Sequence, residues 1–262
     1  MGENSKIQWT NHTWNPWMGC HKISRGCRFC YMFREQTFYG NDPNVVRRSK
    51  TKFNEPLKWK DPALVFTCSW SDWFIEEADE WREEAWEVIR RTPHLTYQIL
   101  TKRPENIATR LPADWGNGWP NVWLGISAED QKNADKRIPV LLNVMARVRF
   151  ISAEPLLGPI DFIETAYSIT NFGGRKIAGF TLSGLMHMIH WVIVGGESGP
   201  EARPMNLDWA RGIRDQCRDA GVSVFVKQLG GWPDKRGDPE TWPVDLRVRE
   251  FPATSAVPTV KP

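Results

Sequence analysis

Three of the chain's five cysteines lie within eleven residues, at Cys20, Cys27 and Cys30. Three thiolates on one short loop can bind three irons of a cubane 4Fe–4S cluster and leave the fourth iron open for a small ligand. Zinc also binds thiolates, but a structural zinc site needs a fourth protein ligand, and His21 or His12 is the nearest candidate. Thiols this concentrated indicate a metal site, with iron–sulfur and zinc both open.

The remaining composition indicates a protein of the cytoplasm. The chain begins without an apolar run, and no stretch is apolar for long enough to span a membrane. In a reducing compartment cysteines bind metal more often than they form disulfides. We expect Cys68, inside a predicted strand, and Cys217, on the inner face of a predicted helix, to be inert buried thiols. The net charge of +3 is too small to indicate a nucleic-acid partner.

Strands and helices alternate along the middle of the chain. Short apolar runs predict strands at residues 63–69, 95–100, 122–126, 148–151, 191–194 and 222–226. Helices are predicted at 76–91, after Pro104, from Ala134 to Met145, and at 207–220. Such alternation is typical of a parallel sheet. We expect an α/β fold, an incomplete TIM-type (βα) barrel, with a doubly wound open sheet as the competing arrangement.

The barrel is expected to extend over residues 1–232. Its first strand is expected near Ile7 to Trp9 or at Trp14, so that the cysteine loop follows it. Residues 160–190 interrupt the alternation and are interpreted as an insertion. Residues 233–262 are rich in proline and glycine, and they are expected to form a C-terminal extension that is partly disordered.

Charged or glycine-rich residues follow the predicted strands. In βα barrels the active site is at the carboxyl ends of the strands, so these residues are the candidate binding set. The set comprises Lys102, Arg103, Glu129, Glu154, Gly195, Gly196, Glu197 and Lys227. Lys102 and Arg103 are suited to phosphate or carboxylate. The two glycines allow a ligand close to the backbone, and Glu197 is suited to an ammonium group or a ribose hydroxyl.

Four motifs carry a resemblance to a known family. They are the cysteine block from Gly19 to Tyr31, Leu-Thr-Lys-Arg-Pro at 100–104, Ile-Ser-Ala-Glu-Pro-Leu at 151–156, and Val-Ile-Val-Gly-Gly-Glu-Ser-Gly at 192–199. With these motifs the chain resembles the phage gene-product 37/68 family. That family consists of uncharacterised three-cysteine proteins that are themselves similar to radical S-adenosylmethionine enzymes. The resemblance extends from about Ile7 to Trp232.

The resemblance implies a radical-SAM-like fold and a 4Fe–4S cluster on Cys20, Cys27 and Cys30. The open iron would bind S-adenosylmethionine, whose cleavage yields a 5′-deoxyadenosyl radical. The cofactor-binding residues would be Gly195, Gly196, Glu197, Glu129, Glu154 and Lys102. One feature departs from the radical enzymes, because the six residues between Cys20 and Cys27 exceed their usual first spacing.

Kinship with phage proteins implies a nucleotide or a nucleic-acid base as substrate, a bacterial host cell as the location, and a partner protein. Trp70 and Trp73, near a predicted strand end, could stack on a base. The alternative is a non-enzymatic zinc or iron–sulfur protein that binds nucleic acid. A zinc hydrolase with three thiolates and a water is a third hypothesis, which the closed, structural character of most thiolate-rich sites disfavours.

Overall fold

The computed structural model describes residues 2–165 and 186–253. The described strands, in chain order, are β1 (His12–Trp14), β2 (Trp17–Met18), β3 (Arg47–Arg48), β4 (Ala63–Thr67), β5 (Leu95–Thr101), β6 (Val122–Ser127), β7 (Val148–Ala153), β8 (Trp191–Gly195) and β9 (Ser223–Gln228). The described helices are α1 (Tyr31–Phe38), α2 (Asp79–Arg90), α3 (Ile107–Arg110), α4 (Gln131–Leu142) and α5 (Leu207–Asp219).

Seven strands form one sheet in the order β1-β4-β5-β6-β7-β8-β9, while β2 and β3 form a small antiparallel ribbon. The pairs β1–β4, β4–β5, β7–β8 and β8–β9 are parallel. The order follows the chain without reversal, whereas a doubly wound sheet reverses at its switch point. The predicted α/β fold is therefore confirmed, and the strand order is compatible with an incomplete (βα) barrel.

The predicted strands and helices agree with the observed ones, apart from their ends. The strand expected over 63–69 already ends at Thr67, and the helix expected from residue 76 begins with the 3-10 turn Glu76–Ala78. Met145 was expected on the inner face of a helix, but α4 ends at Leu142 and Met145 is 53% exposed. Apolar spacing indicates that a helix exists more reliably than it indicates where the helix ends.

The described residues form two compact units. Unit 1 contains residues 2–125 and 144–147, and unit 2 contains 126–143, 148–165 and 186–253. The predicted insertion at 160–190 falls largely on 166–185, outside the described residues, as does the tail from residue 254. Residues 233–253, which were expected to form an extension, belong to unit 2.

Tryptophan dominates the core of unit 1. Trp73 is fully buried, and its ring contacts those of Trp14, Trp17 and Trp86 at centroid distances of 5.8, 4.9 and 4.9 Å. The expectation that Trp73 stacks on a base is therefore wrong, because its ring has no face open to solvent. Burial of such large rings contributes much of the hydrophobic stabilisation of this unit.

The core of unit 2 includes the segment near residue 250. Every residue of β7 and β8 is buried, as expected for strands covered on both faces. The Trp191 ring stacks on Phe251 at 5.3 Å, and its indole N–H donates to the Glu250 carbonyl at 2.8 Å. This segment therefore covers the end of β8.

Within residues 2–165 and 186–253, no helix has the length and apolar character that crossing a bilayer requires.

Replacing Gly196 by alanine should lower the free energy of unfolding by about 1–3 kcal/mol, because the new methyl group overlaps the Leu229 backbone. The matched control is Gly212 in α5, where an added Cβ meets nothing within 4 Å. There alanine should stabilise by about 0.5–1 kcal/mol, since it favours the helix. Denaturant unfolding measures both, and equal stability of the two variants would contradict the packing at Gly196.

Candidate functional site

The loop that carries the three cysteines begins at a position that requires glycine. Gly19 has a backbone φ of +98°, and a Cβ there would overlap the carbonyl oxygen of Val45. Its N–H donates to the Trp70 carbonyl at 3.0 Å. The close neighbour of Gly19 is thus the chain's own backbone, and this contact sets the path of the chain into Cys20.

Hydrogen bonds join the start of this loop to the turn that follows β4. Asn15 Oδ1 accepts from the Trp70 N–H at 2.8 Å, and Ser71 Oγ donates to the Gly19 carbonyl at 2.6 Å. The Cys68 N–H donates to the Trp14 carbonyl at 2.9 Å. The cysteine loop is therefore held at the carboxyl end of β4, where the active site of a βα barrel is expected.

Cys27 and Cys30 lie at the start of α1. Cys27 ends a 3-10 turn, and Cys30 is the residue that caps α1. Burial raises the pKa of the Cys30 thiol, while the Met32 N–H, the positive charge of Lys102 and the Phe33 N–H act in the opposite direction. The free N–H groups of a helix start favour a negative sulfur, which is the form that binds metal.

Cys20 contacts a buried guanidinium group. Arg103 Nη1 lies 3.7 Å from Cys20 Sγ, and Arg103 Nη2 donates to the His21 carbonyl at 3.1 Å. Burial raises the pKa of Cys20 to about 12; the negative charge of Asp72 acts in the same direction and Arg103 opposes both. The empty loop therefore holds Cys20 as a neutral thiol, and a bound metal would displace its proton.

Asp72 is the residue that positions Arg103. Its carboxylate is 5% exposed and accepts four hydrogen bonds. The donors are Thr101 Oγ1 at 2.6 Å, the Lys102 N–H at 2.9 Å, the Phe74 N–H at 3.0 Å and Arg103 Nη1 at 3.3 Å. The sequence analysis missed Asp72, although it follows β4 as the candidate carboxylates follow their strands.

Lys102 and Arg103 were expected to bind phosphate or carboxylate. The structure places Arg103 against Asp72 and Cys20 with only 6% of its surface exposed. Its guanidinium is committed inside the protein. Lys102 is half-buried, and its charge acts on Cys30. In unit 1 the structure thus brings this pair of cations to the cysteine loop.

Cys68 does not lie inside a strand, as had been expected. It follows the end of β4 with a backbone φ of +59° and begins a turn, because the Ser71 N–H donates to its carbonyl at 3.2 Å. Burial raises its pKa well above the usual value, and the charges of Asp72 and Cys20 are further causes where Arg82 opposes. Cys217 is fully buried in α5, as expected.

The thiols do not form a site for a single metal ion. Among the described residues, no three side chains of His, Cys, Asp or Glu are grouped as the ligands of one ion. A zinc ion requires all its ligands at about 2.0–2.3 Å from one point. A cubane is bound differently, because each thiolate binds its own iron at a separate corner. The loop therefore fits a cluster better than it fits one ion.

In unit 2 each candidate carboxylate is paired with a cation. Glu129 Oε2 accepts from Arg137 at 2.8 Å, and both side chains are almost fully buried. Glu197 Oε1 and Oε2 accept from Arg203 at 2.6 and 2.8 Å. Such buried, hydrogen-bonded pairs connect parts of the unit. The proposed cofactor contacts of Glu129 and Glu197 stay predictions.

The pair between Glu154 and Lys227 is the most open of the three. The ammonium nitrogen of Lys227 lies 2.5 Å from Glu154 Oε1, and the two side chains are 18% and 19% exposed. Burial lowers the pKa of nearby Lys235, and the charge of Lys227 lowers it further. Among the carboxylates named from the sequence in unit 2, Glu154 is therefore the best placed to meet a ligand.

Gly195 and Gly196 allow neighbouring chain segments to approach. A Cβ on Gly195 would lie 3.1 Å from Glu154 Cδ, and one on Gly196 would overlap the Leu229 carbonyl. The Gly196 N–H donates to the Gln228 carbonyl at 2.9 Å. The chain itself therefore occupies the space beside both glycines, and their contact with a cofactor stays a prediction.

Comparison with known proteins gives one match. Residues 4–253 match the model of a family described as "Protein of unknown function (DUF5131)". Neither the curated proteins nor the solved structures contain a match to this chain.

Replacing Asp72 by alanine should lower the free energy of unfolding by about 3–5 kcal/mol, because it leaves the Arg103 guanidinium buried without its counter-charge. The double variant Asp72→Ala/Arg103→Met should recover part of this loss. The control is Glu84→Ala, which removes an exposed ion pair with Arg48 and should cost at most about 1 kcal/mol. Denaturant unfolding measures all three, and a similar cost for Asp72 and Glu84 would contradict the assigned role.

Proposed function

The chain belongs to the family described as protein of unknown function DUF5131, and from that premise we propose that it is a radical S-adenosylmethionine-type enzyme. Cys20, Cys27 and Cys30 bind its 4Fe–4S cluster. The four motifs of the sequence support kinship with the phage gene-product 37/68 family and a radical-SAM-like barrel. The observation that carries the proposal is the loop of three thiols held at the carboxyl end of β4.

The surroundings of the nearest histidines favour three protein ligands over four. The His21 ring pairs with Glu77, and the His12 ring accepts from the Asn4 N–H at 3.2 Å and packs on Trp59 at 4.7 Å. Both rings are thus engaged outside the thiol group. A closed zinc site lacks its fourth ligand here, whereas a cubane with one open iron needs only the three cysteines.

The residues around the loop supply its electrostatics. Arg103 donates toward the Cys20 sulfur, and the start of α1 with Lys102 favours negative charge at Cys30. These groups stabilise thiolates in a buried loop and limit the access of water. When bound, the cluster would supply the electron that cleaves the sulfonium of S-adenosylmethionine.

S-adenosylmethionine is the proposed ligand of the open iron. We propose contacts to it from the residues named from the sequence, which are Gly195, Gly196, Glu197, Glu129, Glu154 and Lys102. Of the carboxylates in this set, Glu154 has the strongest support, because it is more exposed than Glu129 or Glu197.

The proposed substrate is a nucleotide or a base in nucleic acid, within the cytoplasm of a bacterial host. This part of the proposal is an analogy with phage proteins. The net charge of +3 does not favour tight unaided binding to a duplex. A partner protein would then supply the missing affinity.

Single alanine variants of Cys20, Cys27 and Cys30 should lose most of the iron and the visible absorption after anaerobic reconstitution, because each removes one iron ligand. Cys68→Ala and Cys217→Ala are the matched controls and should keep both. Metal analysis and absorption spectra measure the outcome. Stoichiometric zinc without iron in anaerobically purified protein would contradict the cluster and favour the zinc alternative.

Reduced, reconstituted protein should release 5′-deoxyadenosine from S-adenosylmethionine, and the Cys27→Ala variant should release none. Glu154→Gln should weaken cofactor binding about tenfold, as loss of a charged hydrogen-bond partner does, while the exposed control Glu240→Gln should leave it unchanged. Calorimetry and chromatography measure both. A wild-type protein that holds the cluster but neither binds nor cleaves S-adenosylmethionine would leave the non-enzymatic nucleic-acid-binding alternative. A Glu197→Gln variant with full affinity would remove Glu197 from the contacts.

A further inference from the structure

An open cleft lies beside the cysteine loop in unit 1. Its volume is about 360 Å³, and its lining residues are Arg34, Glu35, Phe38, Tyr39 and Trp70. Four of the five come from α1 and its C-terminal cap, where a spacing of three or four residues places them on one helix face. Trp70 comes from the turn after β4, so the cleft and the cysteine loop share two segments of the chain.

The cleft presents aromatic rings to solvent. The Phe38 side chain is 83% exposed and Tyr39 is 63% exposed. The rings of Phe38 and Tyr39 are 5.4 Å apart, and those of Tyr39 and Trp70 are 6.0 Å apart. Adjacent exposed rings beside a concavity are typical of a binding surface, because leaving them in water has a cost that a ligand removes.

The Trp70 ring is fixed in place before any ligand arrives. Its indole N–H donates to Glu35 Oε2 at 2.8 Å. Its backbone N–H donates to Asn15 Oδ1, and its carbonyl accepts from the Gly19 N–H. A ring held at both its backbone and its side chain loses little conformational entropy when a flat ligand stacks on it.

Two polar groups in the cleft have unused bonding capacity. Among residues 2–165 and 186–253, the Arg34 guanidinium has no ion-pair or hydrogen-bond partner, and Glu35 Oε1 accepts no hydrogen bond. A complementary ligand therefore has a flat unsaturated ring, an anionic group for Arg34 and an N–H donor for Glu35. A nucleotide whose base carries an exocyclic amino group has all three.

We propose that this cleft binds a nucleotide, with its base stacked on Tyr39 and Trp70, its phosphate at Arg34 and its amino group at Glu35. The inference deepens the proposed function, on whose nucleic-acid substrate it rests. The cleft holds one nucleotide of a single strand, or a free nucleotide, next to the segments that carry Cys20 and Cys30. An apolar peptide would fill the aromatic part but would leave the guanidinium and the carboxylate without partners.

Fluorescence anisotropy on the reconstituted wild type tests the proposal, with labelled single strands of about ten nucleotides, within the usual site size. Oligodeoxycytidine should bind more tightly than oligodeoxythymidine, because thymine has no amino group. Unlabelled cytidine monophosphate should compete if a free nucleotide is sufficient, and only the oligonucleotide should compete if a strand is needed. Either pattern supports the cleft and identifies the source of the nucleotide.

Variants locate the binding. Tyr39→Ala should weaken oligodeoxycytidine binding about 5- to 150-fold, the usual effect of losing one stacked base. Arg34→Ala should reduce the slope of log affinity against log salt by about 0.7, as expected for one lost phosphate contact on a single strand. The matched controls are Trp232→Ala, which removes a ring that is 63% exposed, and Arg91→Ala, an exposed arginine. Neither control should change affinity or slope.

Three results would overturn the proposal. They are no binding of any nucleotide or single strand, equal losses in Tyr39→Ala and Trp232→Ala, or tighter binding of oligodeoxythymidine. Circular dichroism confirms that each variant is folded. A protein that binds oligodeoxycytidine through Tyr39 but never releases 5′-deoxyadenosine would retain this site and lose the proposed enzymatic function. Release of 5′-deoxyadenosine without nucleotide binding would do the reverse.

Discussion

The buried carboxylate of Asp72 is the constraint on which the cysteine loop depends. A charge removed from water must be paired and hydrogen-bonded, and Asp72 meets this requirement with donors from its own turn and from the end of β5. Its bond to Arg103 turns the guanidinium toward Cys20 and the His21 carbonyl. One side chain therefore connects two strand ends and determines the electrostatic environment of a sulfur atom.

That environment gives the loop opposing tendencies. Burial favours the neutral thiols of Cys20 and Cys30, while Arg103, Lys102 and the start of α1 favour their thiolates. In an empty loop burial prevails, so the thiols keep their protons. A metal centre would reverse the balance, because it binds thiolate directly and the cations already lie beside the sulfur atoms.

Unit 2 meets the same requirement in another way. Its strand-end carboxylates pair with arginine or lysine, so that Glu129, Glu197 and Glu154 each connect two parts of the chain. Two of these pairs are largely buried, and their first role is to satisfy polar groups at the ends of buried strands. A strand-end carboxylate is therefore not in itself evidence of a ligand, and exposure decides which one can meet a cofactor.

Local sequence determined the α/β class, most strand positions and the grouping of three thiols, because apolar runs, turn residues and short spacings act over a few residues. Tertiary structure decided the partners. Asp72 and Arg103 are 31 residues apart, and no local pattern predicts that they pair. Trp70 and Trp73 are close in sequence, yet one lines an open cleft and the other is fully buried. Their environments depend on which distant rings and backbone groups surround them, and only the folded chain brings those neighbours together.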